Sequence, residues 1–305
     1  MWLRGQCIPC ALVLGLFVSG VVASPPGTGW RKVWQDGFDG PGLDLSKWSA
    51  DYPWGGVLDH QAFMAPEQVG IGDGKLTLTA VRKHHPDAPP FFINDGEKLP
   101  LDFTSGAVHT KGKFSTNGGY VEARIRVPAT VGTWPAFWML PADGGWPPEI
   151  DIMELPVARS ADVRRTHFTY HYGADAANEQ SIGGQWVGPN FSSGYHTFGM
   201  TWSRTSASWY VDDQLVRRIS NPAFAQAQEK MYILLNLGVG GWPGTPPADA
   251  VFPATMRVDW VRVYRYDGTS SGNAHAFATV PEPHSISMLA VALAGCLSGR
   301  RRARG

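Results

Sequence analysis

The sequence has few cysteines and few charged residues. Its three cysteines, Cys7, Cys10 and Cys296, lie close to the two ends, so that residues 11–295 contain none. This absence excludes a disulfide and a thiolate metal site from the body of the chain. Charged residues make up 17% of the chain, and 26 Lys and Arg balance 26 Asp and Glu. Without an excess of positive charge, no overall field attracts the protein to nucleic acid or to an anionic membrane.

Glycine, proline and aromatic residues are abundant instead. The 305 residues include 36 Gly and 24 Pro, a composition that disfavours a helical bundle. Hydrophobic residues account for 43% of the chain and 13 residues are Trp, which supplies enough apolar surface for a folded core and argues against disorder.

The spacing of apolar residues predicts an all-β protein. Lys75–Ala80, Tyr120–Val127 and Ser208–Val211 alternate with period two, as half-buried antiparallel strands do. Met231–Leu237 is almost continuously apolar and predicts a strand buried on both faces. One helix is predicted, Pro222–Lys230, because it opens with proline and ends with lysine. Many short strands separated by Gly and Pro indicate a β-sandwich.

Both ends of the chain are typical of sorting signals. Residues 1–23 combine an early Arg, an apolar run and small residues up to Ala23, which predicts a signal peptide; a buried N-terminal helix is the alternative. At the other end, Pro281-Glu282-Pro283 precedes a short apolar stretch and terminal arginines. This order resembles the PEP-CTERM sorting signal, which implies export, processing by an exosortase-type enzyme and transient membrane contact. We therefore divide the chain into a signal peptide (1–23), a body (24–267), a linker (268–280) and a sorting tail (281–305).

Three carboxylates lie close together in the middle of the body. Glu149, Asp151 and Glu154 stand between two prolines, in a segment too short and too rich in isoleucine to favour a helix. On a regular strand Glu154 would face away from the other two, and a β-bulge near Ile152-Met153 would bring all three to one side. The alternative is a solvated outer face whose carboxylates only aid solubility.

The spacing of these carboxylates is suited to glycoside hydrolysis. With the bulge, the Cα atoms of Glu149 and Glu154 would lie roughly 13 Å apart. Their side chains could then bring the carboxyl groups to about 5 Å from one another, the separation typical of a retaining glycosidase. Three acids this close cannot all ionise freely, so at least one pKa should be raised.

Aromatic and polar side chains near this segment are candidates for binding a sugar. Trp134 and Trp138 precede the acidic segment, and Trp242 follows it within a glycine-rich stretch. Each offers a flat apolar face, although a core position is the alternative for each. His171, on a predicted following strand, could reach the carboxylates. Asn236 interrupts an apolar run, which is compatible with either a core or a cleft role.

Ordered motifs across residues 30–266 resemble glycoside hydrolase family 16. The matching segments are Thr104–Val108, Gly119–Arg124, Trp134–Trp138, Glu149–Glu154, Tyr195–Phe198 and Val258–Tyr264. The resemblance implies a β-jelly-roll sandwich of two antiparallel sheets, with a concave substrate cleft that needs no cofactor for catalysis. It also implies that Glu149 is the nucleophile, Glu154 the general acid/base and Asp151 the assisting residue, with Trp134, Trp138, His171 and Asn236 in or near the cleft.

The resemblance leaves several functions open. The bulged spacing of the acids is similar to that of the laminarinase, agarase and carrageenase branches, and we expect a secreted endo-β-1,3-glucanase. A galactanase of the agarase or carrageenase type is the alternative, and a sulfated substrate would favour arginines in the cleft; Arg159, Arg164 and Arg165 follow the acidic segment. A non-catalytic glycan-binding surface protein is a further alternative. Some family members bind structural calcium, and Asp259 matches one ligand position.

Overall fold

The regular secondary structure of the described chain is almost entirely β-strand. The computed structural model describes residues 25–94 and 96–268, so the predicted signal peptide, the sorting tail and all but the first residue of the linker lie outside this part. The strands, in chain order, are β1 (Trp30–Asp36), β2 (Ala62–Met64), β3 (Val69–Gly72), β4 (Lys75–Ala80), β5 (Phe91–Asn94), β6 (Glu97–Pro100), β7 (Phe103–Ser105), β8 (Ala107–His109), β9 (Gly119–Arg126), β10 (Thr133–Pro141), β11 (Glu149–Glu154), β12 (Arg165–Tyr172), β13 (Gln180–Val187), β14 (His196–Trp202), β15 (Ser206–Val211), β16 (Gln214–Ser220), β17 (Met231–Val239) and β18 (Ala254–Tyr266). Short 3₁₀ segments cover Pro66–Gln68, Ser160–Arg164, Ala176–Asn178 and Pro222–Gln228.

Most strands belong to two antiparallel sheets. The larger sheet has the order β16-β15-β14-β9-β18-β4-β3, with β1 also paired to β18. The smaller sheet has the order β13-β12-β11-β10-β17-β8. Two short pairs stand apart, the parallel pair β2–β7 and the antiparallel pair β5–β6. The predicted all-β architecture of two antiparallel sheets is therefore confirmed.

The period-two segments form the strands that their patterns predicted. In β4, Leu76, Leu78 and Ala80 are fully buried while the residues between them are half-buried. Strand β17 is buried along its whole length, as its continuous apolar run indicated. Asp212 and Asp213 join β15 to β16 with φ values of 48° and 64°, the left-handed conformation that a tight hairpin turn requires.

The predicted helix at Pro222–Lys230 is wrong in type. The segment Pro222–Gln228 is a 3₁₀ turn with a non-helical residue, Ala227, rather than a continuous α-helix. An α-helix would pair the Ala223 carbonyl with the Ala227 N–H, but the Tyr170 hydroxyl donates to that carbonyl. At the end of the segment, the Trp202 indole donates to the Ala227 carbonyl. These tertiary hydrogen bonds favour the tighter turn over the local helical preference.

The core lies between the two sheets. Inward residues of β9, such as Val121 and Ile125, belong to the same buried hydrophobic cluster as Ile150 and Met153 of β11. Packing of this kind fixes the backbone of the smaller sheet and so holds the side chains on its other face in place. Within the described residues, no helix combines the length and apolar character needed to cross a bilayer.

A buried glutamate lies on the opposite face of the larger sheet. Glu122 of β9 alternates with the inward residues Val121 and Ala123, yet its side chain is fully buried. Within the described residues neither carboxyl oxygen accepts a hydrogen bond of good geometry, although the Tyr264 and Tyr120 hydroxyls lie near enough to lower the pKa in part. Burial outweighs them and raises the pKa of Glu122 to about 7.

Replacement of Glu122 with glutamine is expected to remove a pH dependence of stability. Folding raises the pKa of this carboxyl from 4.5 to about 7. Between these two pH values the folded state therefore binds more protons than the unfolded state, and the free energy of unfolding falls as the pH rises. Across this whole pH range the free energy of unfolding should fall by about 3 kcal/mol. Glutamine stays neutral, so urea unfolding at about pH 5 and about pH 8 should show a smaller difference in the variant. An unchanged difference would contradict the assignment.

Candidate active site

A β-bulge brings the three carboxyl groups to one face of the smaller sheet. On the β10 side, Phe137 pairs with Met153 whereas Trp138 pairs with Asp151, so Ile152 is the additional residue. On the β12 side the register also shifts between Asp151 and Glu154. The predicted bulge is confirmed at its predicted position, and Glu149, Asp151 and Glu154 all line one cleft.

The bulge is anchored from the opposite sheet. Ile152 and Met153 are buried in the core between the sheets. The indole N–H of buried Trp209, on β15, donates to the backbone carbonyl of Asp151 at 3.0 Å. This bond satisfies a backbone acceptor where the ladder of the strand is disturbed, so the irregular backbone is held by the core and not by the cleft.

The cleft is large enough for a carbohydrate chain. Its volume is about 850 Å³, and its walls come from β10, β11, β12 and β17 with the loops around Trp54, Trp146 and Trp242. All five residues predicted to bind substrate line it: Trp134, Trp138, His171, Asn236 and Trp242. The indoles of Trp54, Trp146 and Trp242 are 43%, 40% and 51% exposed, so their faces are accessible to a ligand.

Three of the predicted residues form hydrogen bonds at the cleft floor. The Trp138 indole N–H donates to Asn236 Oδ1 at 2.7 Å, and both residues are almost fully buried. Asn236 therefore occupies the cleft and also has the hydrogen bond that a buried amide requires. The Trp134 indole N–H donates to Glu154 Oε1 at 3.0 Å. Trp242 packs edge-on against Trp134, with 5.7 Å between ring centroids.

The structure adds residues that the sequence analysis did not identify. The Trp146 indole N–H donates to Glu149 Oε2 at 2.7 Å. Glu179 Oε1 lies 2.7 Å from His171 Nδ1. Trp54 lies at the cleft wall, with its ring 6.1 Å from that of Trp138. A tryptophan three residues before Glu149 was the available signal for Trp146, whereas no local pattern identifies Glu179.

His171 is surrounded by three carboxyl groups. Its Nε2 lies 3.2 Å from Asp151 Oδ2 and 4.0 Å from Glu149 Oε1, while Nδ1 contacts Glu179. Burial lowers the pKa of His171, but the three carboxylates outweigh burial and raise the pKa to about 10. At neutral pH the imidazolium therefore offsets part of the negative charge of the cluster.

The pKa values of the three acids of β11 are all raised. Burial, followed by the charge of Glu149, raises the pKa of Glu154 to about 8. Burial and the charge of Glu154 raise the pKa of Asp151, and burial and the charge of Asp151 raise the pKa of Glu149. Because closely spaced carboxylates cannot all ionise, the cluster holds a proton where a general acid needs one.

The acidic groups considered as possible metal ligands are paired with basic side chains. Oxygen and nitrogen atoms of Glu149, Asp151 and His171 lie within 4.8 Å of one another. In this group, His171 faces Asp151 through Nε2 and Glu179 through Nδ1. Asp259, for which the resemblance implied a calcium role, contacts Lys75 Nζ at 2.7 Å through one oxygen and Arg124 through the other. These two cations lower the pKa of Asp259 despite its partial burial.

A sandwich of two antiparallel sheets, with clustered carboxyl groups in an aromatic cleft on one of them, defines a carbohydrate-active β-protein. Comparison with known proteins agrees. The family described as "Beta-porphyranase A-D, GH16 domain" matches residues 30–266. The chain therefore belongs to glycoside hydrolase family 16, and its fold is the β-jelly-roll that the sequence predicted. Residues 279–302 match the PEP-CTERM protein-sorting motif, which marks the protein for export and the cell envelope.

Several relatives are similar over most of the chain. "Glucan endo-1,3-beta-glucosidase A1" of Niallia circulans is 32% identical over 283 residues, which cover 81% of this chain but only 39% of that protein. "Beta-glucanase" of Rhodothermus marinus is 32% identical over 87% of this chain and 95% of its own length. The laminarinase catalytic domain of Thermotoga petrophila superimposes with a TM-score of 0.64 at 30% identity, over 78% of this chain and 99% of that domain.

Proposed function

We propose that the protein is a secreted, retaining endo-glycoside hydrolase that cleaves internal β-linkages of a β-1,3-glucan. The observation that carries the proposal is the bulged strand β11, which directs Glu149, Asp151 and Glu154 into one aromatic cleft. Each glutamate accepts a hydrogen bond from a cleft tryptophan. A solvated outer face would not bury and hydrogen-bond its carboxyl groups in this way.

The two glutamates would perform different steps. Glu149, as a carboxylate, attacks the anomeric carbon and forms a covalent glycosyl ester, while Glu154 donates its proton to the departing glycosidic oxygen. Glu154 then takes a proton from water, whose oxygen displaces Glu149 and restores the β-configuration. Its raised pKa, about 8, suits this acid role at neutral pH. Asp151, in contact with His171, would orient the nucleophile and moderate the charge beside it.

The surroundings of the cleft favour a neutral glucan over a sulfated galactan. Among the described residues that line the cleft there is no arginine. Arg159 extends into solvent with a side chain 76% exposed, and Arg164 and Arg165 also lie outside the lining. Relatives named as glucanases in Niallia circulans and Rhodothermus marinus support the same choice. The porphyranase description of the matching family supports the galactanase alternative, and retention of both glutamates argues against a purely glycan-binding protein.

A panel of polysaccharides tests the proposal directly. We expect reducing sugar to be released fastest from laminarin when laminarin, lichenan, agarose, carrageenan and xyloglucan are compared at equal mass. Proton NMR during the first turnovers should show the new reducing end as the β-anomer, because two displacements restore the configuration. An initial α-anomer would contradict the retaining mechanism. Faster hydrolysis of agarose or carrageenan would select the galactanase alternative.

The sorting tail implies a second set of proposals. We expect the mature protein to begin near Ser24 and to end near Val280, after transient contact of the tail with the membrane and cleavage by an exosortase-type enzyme. Mass spectrometry of the protein exported by its native host measures both ends. Recovery of peptides that contain Arg304 from the mature product would contradict the processing proposal.

A further inference from the structure

Trp146 occupies an unusual place beside the acidic strand. It lies on the connection between β10 and β11, three residues before Glu149. Gly144 and Gly145 precede it with φ values of 95° and 90°, a conformation that favours glycine. This turn brings the indole back over the end of β11, where it lines the cleft and stays 40% exposed.

The two oxygens of Glu149 have different surroundings because of this indole. Oε2 accepts the hydrogen bond from Trp146 Nε1 at 2.7 Å. Oε1 lies 4.0 Å from His171 Nε2, too far for a hydrogen bond. The Trp146 and His171 rings are tilted relative to one another, with 6.0 Å between their centroids. Among the described residues, one N–H donor therefore holds Oε2, and no indole, amide or imidazole N–H lies within hydrogen-bond distance of Oε1.

We propose that Trp146 is a positioning residue for the nucleophile: its indole N–H holds Glu149 Oε2 and leaves Oε1 as the attacking oxygen. The inference rests on the proposed function, because it assumes that Glu149 attacks the sugar. It deepens that function by explaining how a carboxylate with two equivalent oxygens is presented in a single orientation. A fixed rotamer lowers the entropic part of the barrier.

The hydrogen bond can persist through both displacement steps. In the first step, Oε1 forms a bond to the anomeric carbon, the glycosidic bond breaks, and its oxygen takes the proton of Glu154. Oε2 becomes the carbonyl oxygen of the ester and remains an acceptor for Trp146. In the second step, a water oxygen bonds to the anomeric carbon and gives its proton to Glu154, and the electron pair of the broken ester bond returns to Glu149. A donor on Oε2 stabilises the carboxylate in both directions.

Trp54 provides a matched control for the loss of an indole N–H. It lines the same cleft and is 43% exposed, but its indole donates to the backbone carbonyl of Val57 at 3.2 Å and not to a carboxyl group. Substitution by phenylalanine at either position keeps an aromatic ring and removes one donor. Only the change at Trp146 removes a hydrogen bond to Glu149.

The experiment compares wild type, Trp146→Phe and Trp54→Phe on the polysaccharide that wild type hydrolyses fastest. Trp146→Phe should lower kcat by about 10- to 100-fold, as expected for loss of a hydrogen bond to a charged group, with a much smaller change in KM. The acid limb of its kcat/KM profile should move to higher pH, because the lost donor favoured the ionised form of Glu149. Trp54→Phe should leave that limb in place.

A titration that needs no turnover separates this proposal from the proposed function. The carboxyl carbon of Glu149 is followed by ¹³C NMR against pH in wild type and in Trp146→Phe, and its signal is assigned by its absence in Glu149→Gln. The pKa of Glu149 should be higher in Trp146→Phe, with an unchanged pKa in Trp54→Phe. Equal values in wild type and Trp146→Phe, or a change confined to KM, would overturn the positioning role even if hydrolysis is confirmed. Failure of wild type to hydrolyse any polysaccharide would reject the proposed function alone.

Discussion

Glu149→Gln is expected to lower turnover of the preferred polysaccharide by about 10⁴-fold or more, because an amide cannot form the glycosyl ester. Binding should survive, since the aromatic walls of the cleft and the Trp146 ring remain in place. The measurement is steady-state hydrolysis together with affinity electrophoresis in a gel that contains the same polysaccharide. Loss of activity with retained binding is the expected pair of results.

Glu122→Gln is the matched control for this substitution. Glu122 is also a buried glutamate, but it lies on the larger sheet and away from the cleft lining. Its replacement should leave turnover close to that of wild type.

A second variant, Glu149→Ala, makes room for azide in place of the nucleophile, and the product should be the α-glycosyl azide formed by a single displacement. Formation of the β-azide would contradict the assignment of Glu149.

Glu154→Ala is expected to show the opposite pattern of rescue. Hydrolysis of the polysaccharide should fall by about 10² to 10⁴-fold, because the leaving oxygen no longer receives a proton. An aryl β-glycoside with a good leaving group needs no such proton, so its glycosylation step should be almost unaffected. Azide should then attack the glycosyl-enzyme from the vacated side and yield the β-glycosyl azide. Measurement of both substrates with and without azide tests the role, and loss of activity on both without rescue would contradict it.

The pH profile gives a further measure of Glu154. In wild type its pKa of about 8 keeps the carboxyl protonated below that pH, so the rate should decline as pH rises through this value. With the activated aryl glycoside, Glu154→Ala should lack this basic limb. Asp151→Asn should reduce turnover less than Glu149→Gln, since Asp151 acts on the charge and orientation of Glu149 and would not bond to the sugar. If the basic limb of the pH profile persists in Glu154→Ala, that limb reports the ionisation of a group other than Glu154.

Much of the site could be predicted because it depends on the order of residues within a single strand. The alternation of Glu149 and Asp151, and the violation of that alternation at Glu154, were enough to predict a bulge near Ile152. Successive side chains in a strand point to opposite faces of the sheet. One inserted residue therefore moves every side chain after it to the other face. The same regularity identified β4, β9 and β15, whereas β17 was identified by its continuous apolar run.

Other features depended on residues distant in the chain. The helix predicted at Pro222–Lys230 became a 3₁₀ turn because Tyr170 and Trp202 donate to its carbonyl groups. Asp259 contacts Lys75 and Arg124, which lie on two neighbouring strands. Neither outcome follows from the neighbours of these residues along the chain.

The sequence by itself determined the all-β class, the strand that carries the acids and the face on which they lie, because these follow from apolar periodicity and hydrogen-bonding geometry over a few residues. Only the tertiary structure decided the partner of each charged group. His171 becomes a cation between Asp151 and Glu179, and the two glutamates receive separate indole donors from a loop and a strand. Burial and the distances between charges set these pKa values, and both exist only after the sheets have packed.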